Sequence, residues 1–520
     1  MPRLAVIDLG SNTARIVIYD YQPGTSFRFV DELRETVRLG EGLATTGKLS
    51  EAAVGRALLT LRTFTRFARG VGAERIVAAA TSASRDASNG PQFLALAREI
   101  VPELQVLSGN EEAELGVLAV ANSFAFASAW VIDLGGGSLQ ISRMEARRFV
   151  SGTSFPLGAV RTNERFLKDP PQASQITALR NQVLEQLAEP LHEIRSNSFP
   201  LVAMGGTVRD LAQAIQKASD YPLDLLHGYF LPRSALATLV RKLTHRSAKA
   251  RAQIPGISSD RADVIAAGAL TYLTILEATE QEGLYVSGSG IREGLLYREL
   301  FPFPHLVPEV RSFTVQLLAE RYLEPSPHPA RVQNLAEKIF DGLAPLHLLT
   351  PAAKRLLLEA AYLSEIGNHI SPYQSHLHSE YLLTAQPLPG FSHQEQAALA
   401  LLVRYQHKGT PKLGAFARLG YSPGSAQKLL QLAVILRLAQ SLERVKAGRV
   451  QQIQVNLEPG VVKIEVSSNE GLELELWEAR KHSELFKTAF GQSLKLRAVI
   501  EPVTTSENNK QTAQTRSSVP

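Results

Sequence analysis

At 520 residues the chain is too long for a single core, and at roughly 100–200 residues per domain it predicts three or four. Cysteine is absent, which excludes disulfides, thiolate metal sites and a cysteine nucleophile, and agrees with a reducing cytoplasm. The net charge of +5 favours anionic partners, because a positive field concentrates anions, yet no arginine-rich arm or nucleic-acid module accompanies it.

The opening apolar run reaches Asp8 too soon for the h-region of a signal peptide, so no export is expected. It reads as a buried strand, turning at Ser11-Asn12-Thr13 into a return strand from Ala14 to Tyr19, with a further strand at Phe27 to Val30. Val54, Leu58, Leu61 and Thr65 then share one helical face, and Arg75 to Ala80 returns to strand character. The most apolar stretch, Val117 to Ile132, is broken by Asn122, Ser123 and Ser128 and falls short of the ~20 residues a spanning helix needs. It reads as a buried helix followed by a buried strand, with no membrane span.

That strand carries Val131-Ile132-Asp133-Leu134-Gly135, which repeats Val6-Ile7-Asp8-Leu9-Gly10 letter for letter. The second copy turns at Gly136-Gly137-Ser138. Strands at Leu139 to Ser142 and Arg148 to Val150 follow, then a helix around Leu179, Val183, Leu187 and Leu191, and a strand at Leu201 to Met204. Two successive units of hairpin, strand, helix and strand predict two similar α/β domains facing across a cleft, the actin-like (RNase H-like) ATPase architecture. The domains are placed at 1–124 and 125–303. From 304 to 446 the periodicity is helical, with Leu335, Ile339 and Leu343 on one face, and predicts an all-α domain. A small α/β unit at 447–502 is expected to hold strands at Val450 to Val455, Val461 to Val466, Leu472 to Leu476 and Leu494 to Ile500, with a helix near Lys481 to Phe490. The polar stretch 503–520 is expected to be disordered.

Turns of Gly and Ser offer several backbone N–H groups to one anion, and both repeat turns supply them. Asp8 and Asp133, at strand ends, would place carboxylates beside a bound phosphate, where hydrated magnesium could join the two. Each aspartate could instead merely cap its turn. Gly205-Gly206-Thr207 opens a helix, and Ser287-Gly288-Ser289-Gly290 forms a fourth turn; either could be a plain strand-to-helix connection. Arg85 could grip phosphate from the end of its strand or simply lie at the surface. Glu111 and Glu112 begin a helix after Ser108-Gly109-Asn110. They could favour the helix dipole, or one could orient an attacking water; their positions do not choose between them.

Taken in order, IDLGSNTARIVIYD, AATSASRDASN, LSGNEEAELG, VIDLGGGSLQIS, PLGAVR, MGGTVRDLA and VSGSGIREGLLY resemble the exopolyphosphatase / guanosine-pentaphosphatase (Ppx/GppA) family, with the likeness reaching about Lys408. Actin-like kinases share the fold but usually lack the combination of SGNEEAELG and SGSGIREGLL. The resemblance implies that Glu112 is the catalytic glutamate orienting water, that Asp133 associates with magnesium, and that Asp8 supports the ion through water. Glu112 joins Asp8 and Asp133 in the implied metal-binding set. Ser11, Asn12, Thr13, Arg85, Gly136, Gly137, Ser138, Gly206 and Thr207 are implied to bind phosphates.

Two departures stand out. Gln140 occupies a position where the family commonly has a glutamate implicated in activity, which keeps hydrogen bonding but loses charge. The helical segment resembles the family's HD-like domain, yet Ser364-Glu365 stands where a metal-binding His-Asp pair would be. His328, His369, His376, His378 and His407 are therefore not expected to form a metal centre, and the segment is expected to serve structure or a substrate channel.

The implied reaction is magnesium-dependent hydrolysis of terminal phosphate from inorganic polyphosphate. Three alternatives stay open: hydrolysis of the 5′ γ-phosphate of guanosine pentaphosphate (pppGpp), a kinase reaction on the same fold, and non-catalytic sensing of polyphosphate or alarmone. A homodimer is also open.

Overall fold

The repeated five-residue run becomes the central strand of two separate sheets. In the computed structural model, which describes residues 1–500, strand β1 (Arg3–Leu9) pairs antiparallel with β2 (Thr13–Gln22), and β3 (Ser26–Thr36) lies outside β2. On its other edge β1 pairs in parallel with β4 (Arg75–Ala80), followed by β5 (Leu104–Val106). The order is β3-β2-β1-β4-β5.

The second sheet contains β6 (Ala129–Leu134), β7 (Leu139–Glu145), β8 (Arg148–Phe155), β9 (Leu201–Met204), β10 (Phe230–Pro232) and β11 (Gly283–Val286), in the order β10-β11-β9-β6-β7-β8. Without edge strand β10 and read from the other end, this is the same topology. The register repeats as well: Asp8 faces Arg15 across the first hairpin, and Asp133 faces Gln140 across the second. The fold is thus mixed α/β with the duplicated actin-like sheet pattern. The predicted tail at 503–520 lies outside the described residues.

Because β1 is central it is apolar on both faces. Ala5 and Ile7 face one core together with Leu61 and Phe64 from helix Glu51–Gly70. Leu4 and Val6 face another with Leu115, Leu295 and Leu296. The stripe that helix buries most fully is Ala53, Ala57, Leu61, Phe64 and Ala68, whereas Val54 and Leu58 lie at its margin. Small alanines let the helix approach the sheet closely, a preference that a search for large apolar residues overlooks. In the second lobe, helix Ile265–Ala278 is buried on all sides from Ile265 to Leu276. The helix expected around Leu179 to Leu191 is broken at Leu187 into Ala173–Gln186 and Ala188–Arg195.

The chain forms two compact units. The first comprises Met1–Arg321 with Leu383–Ala397 and Ala415–Gly420; the second comprises Tyr322–Leu382, Ala398–Gly414 and the described residues from Tyr421 on. The segment 304–446, expected as one all-α domain, contributes helices to both units. Its first helix, Val310–Tyr322, adds Val310 and Phe313 to the core beneath β1, with Phe27 and Phe313 ring centroids 6.2 Å apart.

In the second unit, helices His328–Gly342, Pro351–Tyr362 and Ser425–Leu442 accompany a sheet of β12 (Gln452–Glu458), β13 (Val461–Ser468) and β14 (Ser493–Ile500). The strand expected at Leu472 to Leu476 is instead the start of helix Glu473–Arg480. Its alternating Glu and Leu conceal a helical stripe, since Leu472, Leu476 and Ala479 are buried while Leu474 is exposed. The parallel β13–β14 pairing requires a crossover, which this helix and Ser483–Phe490 provide. Among the described residues no helix is long and apolar enough to cross a membrane.

Candidate active site

The two Gly/Ser turns close identically and meet. Gly10 N–H donates to Thr13 O at 3.1 Å, and Gly135 N–H to Ser138 O at 3.0 Å. A Cβ on Gly136 would lie 3.2 Å from Ser11 Cβ, and one on Gly137 only 2.5 Å from Ser82 Oγ. Glycine is what permits this approach. Ala159 and Val160 donate to the carbonyls of Gly135 and Gly136, both at 2.9 Å, and so fix the second turn from behind. The N–H groups of Ser11, Asn12 and Gly136 enter none of the turn and loop hydrogen bonds among the described residues, which leaves them available to an anion.

These turns border a cavity of about 140 Å³, roomier than the ~10–15 Å³ needed by one water. Gly206 and Thr207 also border it, at the start of the 13-residue helix Gly206–Ala218, whose unsatisfied N–H groups and dipole favour anions.

Asp8 and Asp133 both line the cavity. Removal from bulk water pushes both carboxyls up, Asp133 to about 6 with the Asp8 charge adding to the effect. Neither is in an ion pair or a side-chain hydrogen bond among the described residues. Two carboxylates so placed suit a hard divalent cation. Among the described residues no group of three or more His, Asp or Glu could hold a metal, so magnesium would complete its shell with water and substrate oxygens, its usual habit. Glu112, implied as a third ligand, has both oxygens otherwise engaged.

Those engagements define Glu112. Ser108 and Glu111 form a capping box, with Ser108 N–H donating to Glu111 Oε2 at 2.8 Å, so Glu111 serves its own helix Gly109–Ala121. Glu112, one residue on, is 3% exposed and lines the cavity. Its Oε1 accepts from Arg85 at 2.5 Å and its Oε2 from Gln140 Nε2 at 3.1 Å. Burial pushes its carboxyl up to about 7, against the opposing pull of Arg85. A carboxyl near neutrality is suited to take a proton from water. Ser138 Oγ at 2.9 Å and Ser154 Oγ at 3.1 Å also lie within reach of Gln140 Nε2, whose two N–H groups are thus shared among three oxygens.

Arg85 does not line the cavity. Its guanidinium is held by Glu112, by Leu107 O at 2.6 Å and by Asp86 at 3.3 Å. Gly137 likewise lies behind the turn, against Ser82. Ser11, Asn12, Thr13, Gly136, Ser138, Gly206 and Thr207 all border the cavity.

Four arginines that the sequence reading did not single out converge there: Arg15, Arg209, Arg261 and Arg292. Arg209 donates to Gly205 O at 3.0 Å and Gly288 O at 3.4 Å, and is in no ion pair among the described residues. Burial and the neighbouring Arg292 and Arg15 charges push it down to about 10. Arg15 and Arg292 each lie 3.6 Å from Glu32 and Arg261 3.4 Å from Asp210, so of the four Arg209 is the one without an ion pair among the described residues, and a buried cation in that state favours an anionic ligand. A signal was present: Arg209 and Arg292 stand in the first turns of helices, where the dipole disfavours a cation.

A family model described as the Ppx/GppA phosphatase family matches residues 17–302, and one described as Ppx/GppA phosphatase domain III matches 310–485. The chain belongs to this family. Exopolyphosphatase 1 of Mycobacterium tuberculosis (strain H37Rv) is 32% identical over 304 residues, 57% of this chain and 88% of that protein. The protein of the same name from Mycobacterium bovis gives the same values. Among solved structures, an exopolyphosphatase from Cytophaga hutchinsonii superposes with a TM-score of 0.54 at 26% identity, covering 57% of this chain and 97% of that one. In this Ppx/GppA chain, the family match over 17–302 contains every cavity-lining arginine except Arg15 and also contains Glu112 and Asp133.

Proposed function

We propose that this protein is a cytoplasmic, magnesium-dependent exopolyphosphatase that releases the terminal phosphate of inorganic polyphosphate. The observation that carries the reading is the convergence of two anion-accepting turns, four arginines and a near-neutral glutamate on one cavity. Among the described residues no aromatic side chain lines that cavity to stack a purine, which favours a chain made only of phosphates over guanosine pentaphosphate.

In this reading, the turn N–H groups and the start of helix Gly206–Ala218 hold the terminal phosphate oxygens. Arg15, Arg209, Arg261 and Arg292 balance the charge of the following phosphates. Glu112 accepts a proton from water as the new P–O bond forms and the terminal P–O–P bridge breaks, its bridging oxygen leaving with the shortened chain. Asp8 and Asp133 would hold Mg²⁺, which when bound supplies further charge neutralisation at the phosphates. Gln140 keeps Glu112 aligned from one side and Arg85 from the other. The HD-like reading of the helical segment rests on its motif order.

The test is phosphate release from long-chain polyphosphate with Mg²⁺, comparing wild type with Glu112→Ala, with guanosine pentaphosphate as competitor. The variant is expected to keep its affinity and lose roughly 10²–10⁴ in kcat. Unchanged turnover would overturn the role of Glu112, and preferential hydrolysis of the nucleotide would overturn the substrate.

A further inference from the structure

The second unit contains a polar cavity of its own, about 230 Å³, whose lining shares no residue with the cleft. It lies among helices His328–Gly342 and Ser425–Leu442, the turn Ile366–His369, and His482 at the start of helix Ser483–Phe490. This is where the sequence has Ser364-Glu365.

The floor of the cavity is a closed network of neutral groups. Gln440 Nε2 donates to Ser364 Oγ at 2.7 Å, and Gln406 Nε2 donates to Ser364 O at 2.7 Å. Of the histidines considered from sequence, only His328 and His407 line it; His369 packs instead against Tyr322, with ring centroids 5.4 Å apart. With no cluster of three or more His, Asp or Glu among the described residues, the donor set does not suit a metal.

The charges suit an anion. Each carboxylate of the wall has its own cation: Glu365 with Lys446 at 2.6 Å, Glu443 with Arg331 at 3.3 Å, and Glu478 with Lys481 at 2.7 Å. Arg437 and Arg444 are in no ion pair among the described residues. Arg437 is 4% exposed and donates to Tyr405 O at 2.8 Å and to Gly409 O, both neutral acceptors. Burial pushes Arg437 down to about 10, and burial together with the Arg437 charge pushes His482 down to about 4.

His328 is also 4% exposed; burial opposes its protonated form, but the wall's carboxylates favour it and prevail, with Glu365 3.5 Å from Nε2 and Glu443 3.7 Å from Nδ1. It therefore adds to the positive charge that offsets those two acids and leaves Arg437 and Arg444 as the cations of the wall without a carboxylate of their own among the described residues.

We propose that this cavity is a binding site for a small phosphorylated anion, read by Arg437 and Arg444 with His407 and His482 as further donors, and separate from the catalytic cleft. Guanidinium groups match phosphate oxygens bidentately, and a desolvated cation facing a cavity gains most from such a partner.

The probe is pyrophosphate, measured by equilibrium dialysis on the full chain carrying Glu112→Gln to prevent turnover. Two molecules per chain are expected. Arg437 is buried and its replacement could unfold the unit, so the test uses Arg444→Gln with His482→Gln, which lie nearer solvent. This pair should weaken one of the two sites by at least about tenfold, and in an otherwise wild-type chain should leave phosphate release from polyphosphate at the cleft unchanged. Arg209→Gln with Arg292→Gln should weaken the other. A single site per chain, or a second site indifferent to the Arg444 and His482 changes in a chain with an unaltered melting curve, would overturn the proposal. That result would leave the cleft reading standing.

Discussion

Arg85→Met separates two roles for a residue that the family resemblance implied to bind phosphate. In the structure Arg85 donates to Glu112 at 2.5 Å and does not line the cavity. Methionine keeps much of the volume and removes both the charge and the donor. A hydrogen bond to a buried charged group contributes roughly 1.5–3 kcal/mol, equivalent to about 1–2 pKa units at 1.36 kcal/mol per unit. Arg85 favours the ionised form, so its loss raises the Glu112 carboxyl above the value of about 7 it already has. At pH 7 the ionised fraction would fall from about one half to about 1–10% by this reasoning. The expected result is an acid limb of the pH–kcat/KM profile moved upward by about 1–2 units, a rate at pH 7 lower by roughly 5–50-fold, and recovery at high pH. The KM for polyphosphate should change little, and Arg85→Lys should restore part of the shift. An acid limb that stays in place while KM rises about tenfold would refute the reasoning and return Arg85 to direct phosphate binding.

Asp133→Asn should stabilise the metal-free protein. Its carboxyl lies at about 6 when folded against an ordinary 3.8, so the folded state holds the proton more tightly, and the charge costs up to about 3 kcal/mol above pH 6, vanishing below about 3.8. Denaturant melts in chelator at pH 8 and pH 3.5 check this, and a variant no more stable at pH 8 refutes it. Gly137→Ala would place a Cβ 2.5 Å from Ser82 Oγ, a crowding expected to cost about 1–3 kcal/mol and to lower kcat by forcing the turns apart. Gly55→Ala, where a Cβ meets nothing within 4 Å inside a helix, should instead stabilise by about 0.5–1 kcal/mol in the same denaturant melts.

What the sequence made legible was local and repeated. The Val-Ile-Asp-Leu-Gly run occurs twice, so one pattern supported two hairpins and the duplicated sheet. Glu112 was singled out only by the family resemblance, although the residues carried a signal that went unread: Ser108 and Glu111 have capping-box spacing, which commits Glu111 to its helix end. The arginine set was not visible, because Arg15, Arg209, Arg261 and Arg292 are scattered over nearly 280 positions and only the closed cleft assembles them. The pairing of Arg85 with Glu112 was hidden for the same reason, since 27 residues separate them. Helix Glu473–Arg480 was misread because strict alternation and a three-to-four spacing coexist in one short segment, and tertiary packing decided between them.

Duplication gives the cleft two equivalent hairpins, but removing a terminal phosphate needs two unlike sides. The structure shows where the likeness ends. Arg15 and Gln140 occupy the same register position, each opposite the aspartate of its hairpin. On the first hairpin that position supplies a cation to the cavity; on the second it supplies a neutral amide to Glu112 at 3.1 Å. A carboxylate only accepts hydrogen bonds, so the Gln140 amide must present its nitrogen there. Glutamate at 140 would instead set a second acid about 3 Å from a carboxyl already raised by burial, and like charges so close retain a proton between them. In this chain the glutamine therefore spares Glu112, already pushed up to about 7, a further acidic neighbour besides Asp133, while the first hairpin presents a cation to the cavity at the same register position.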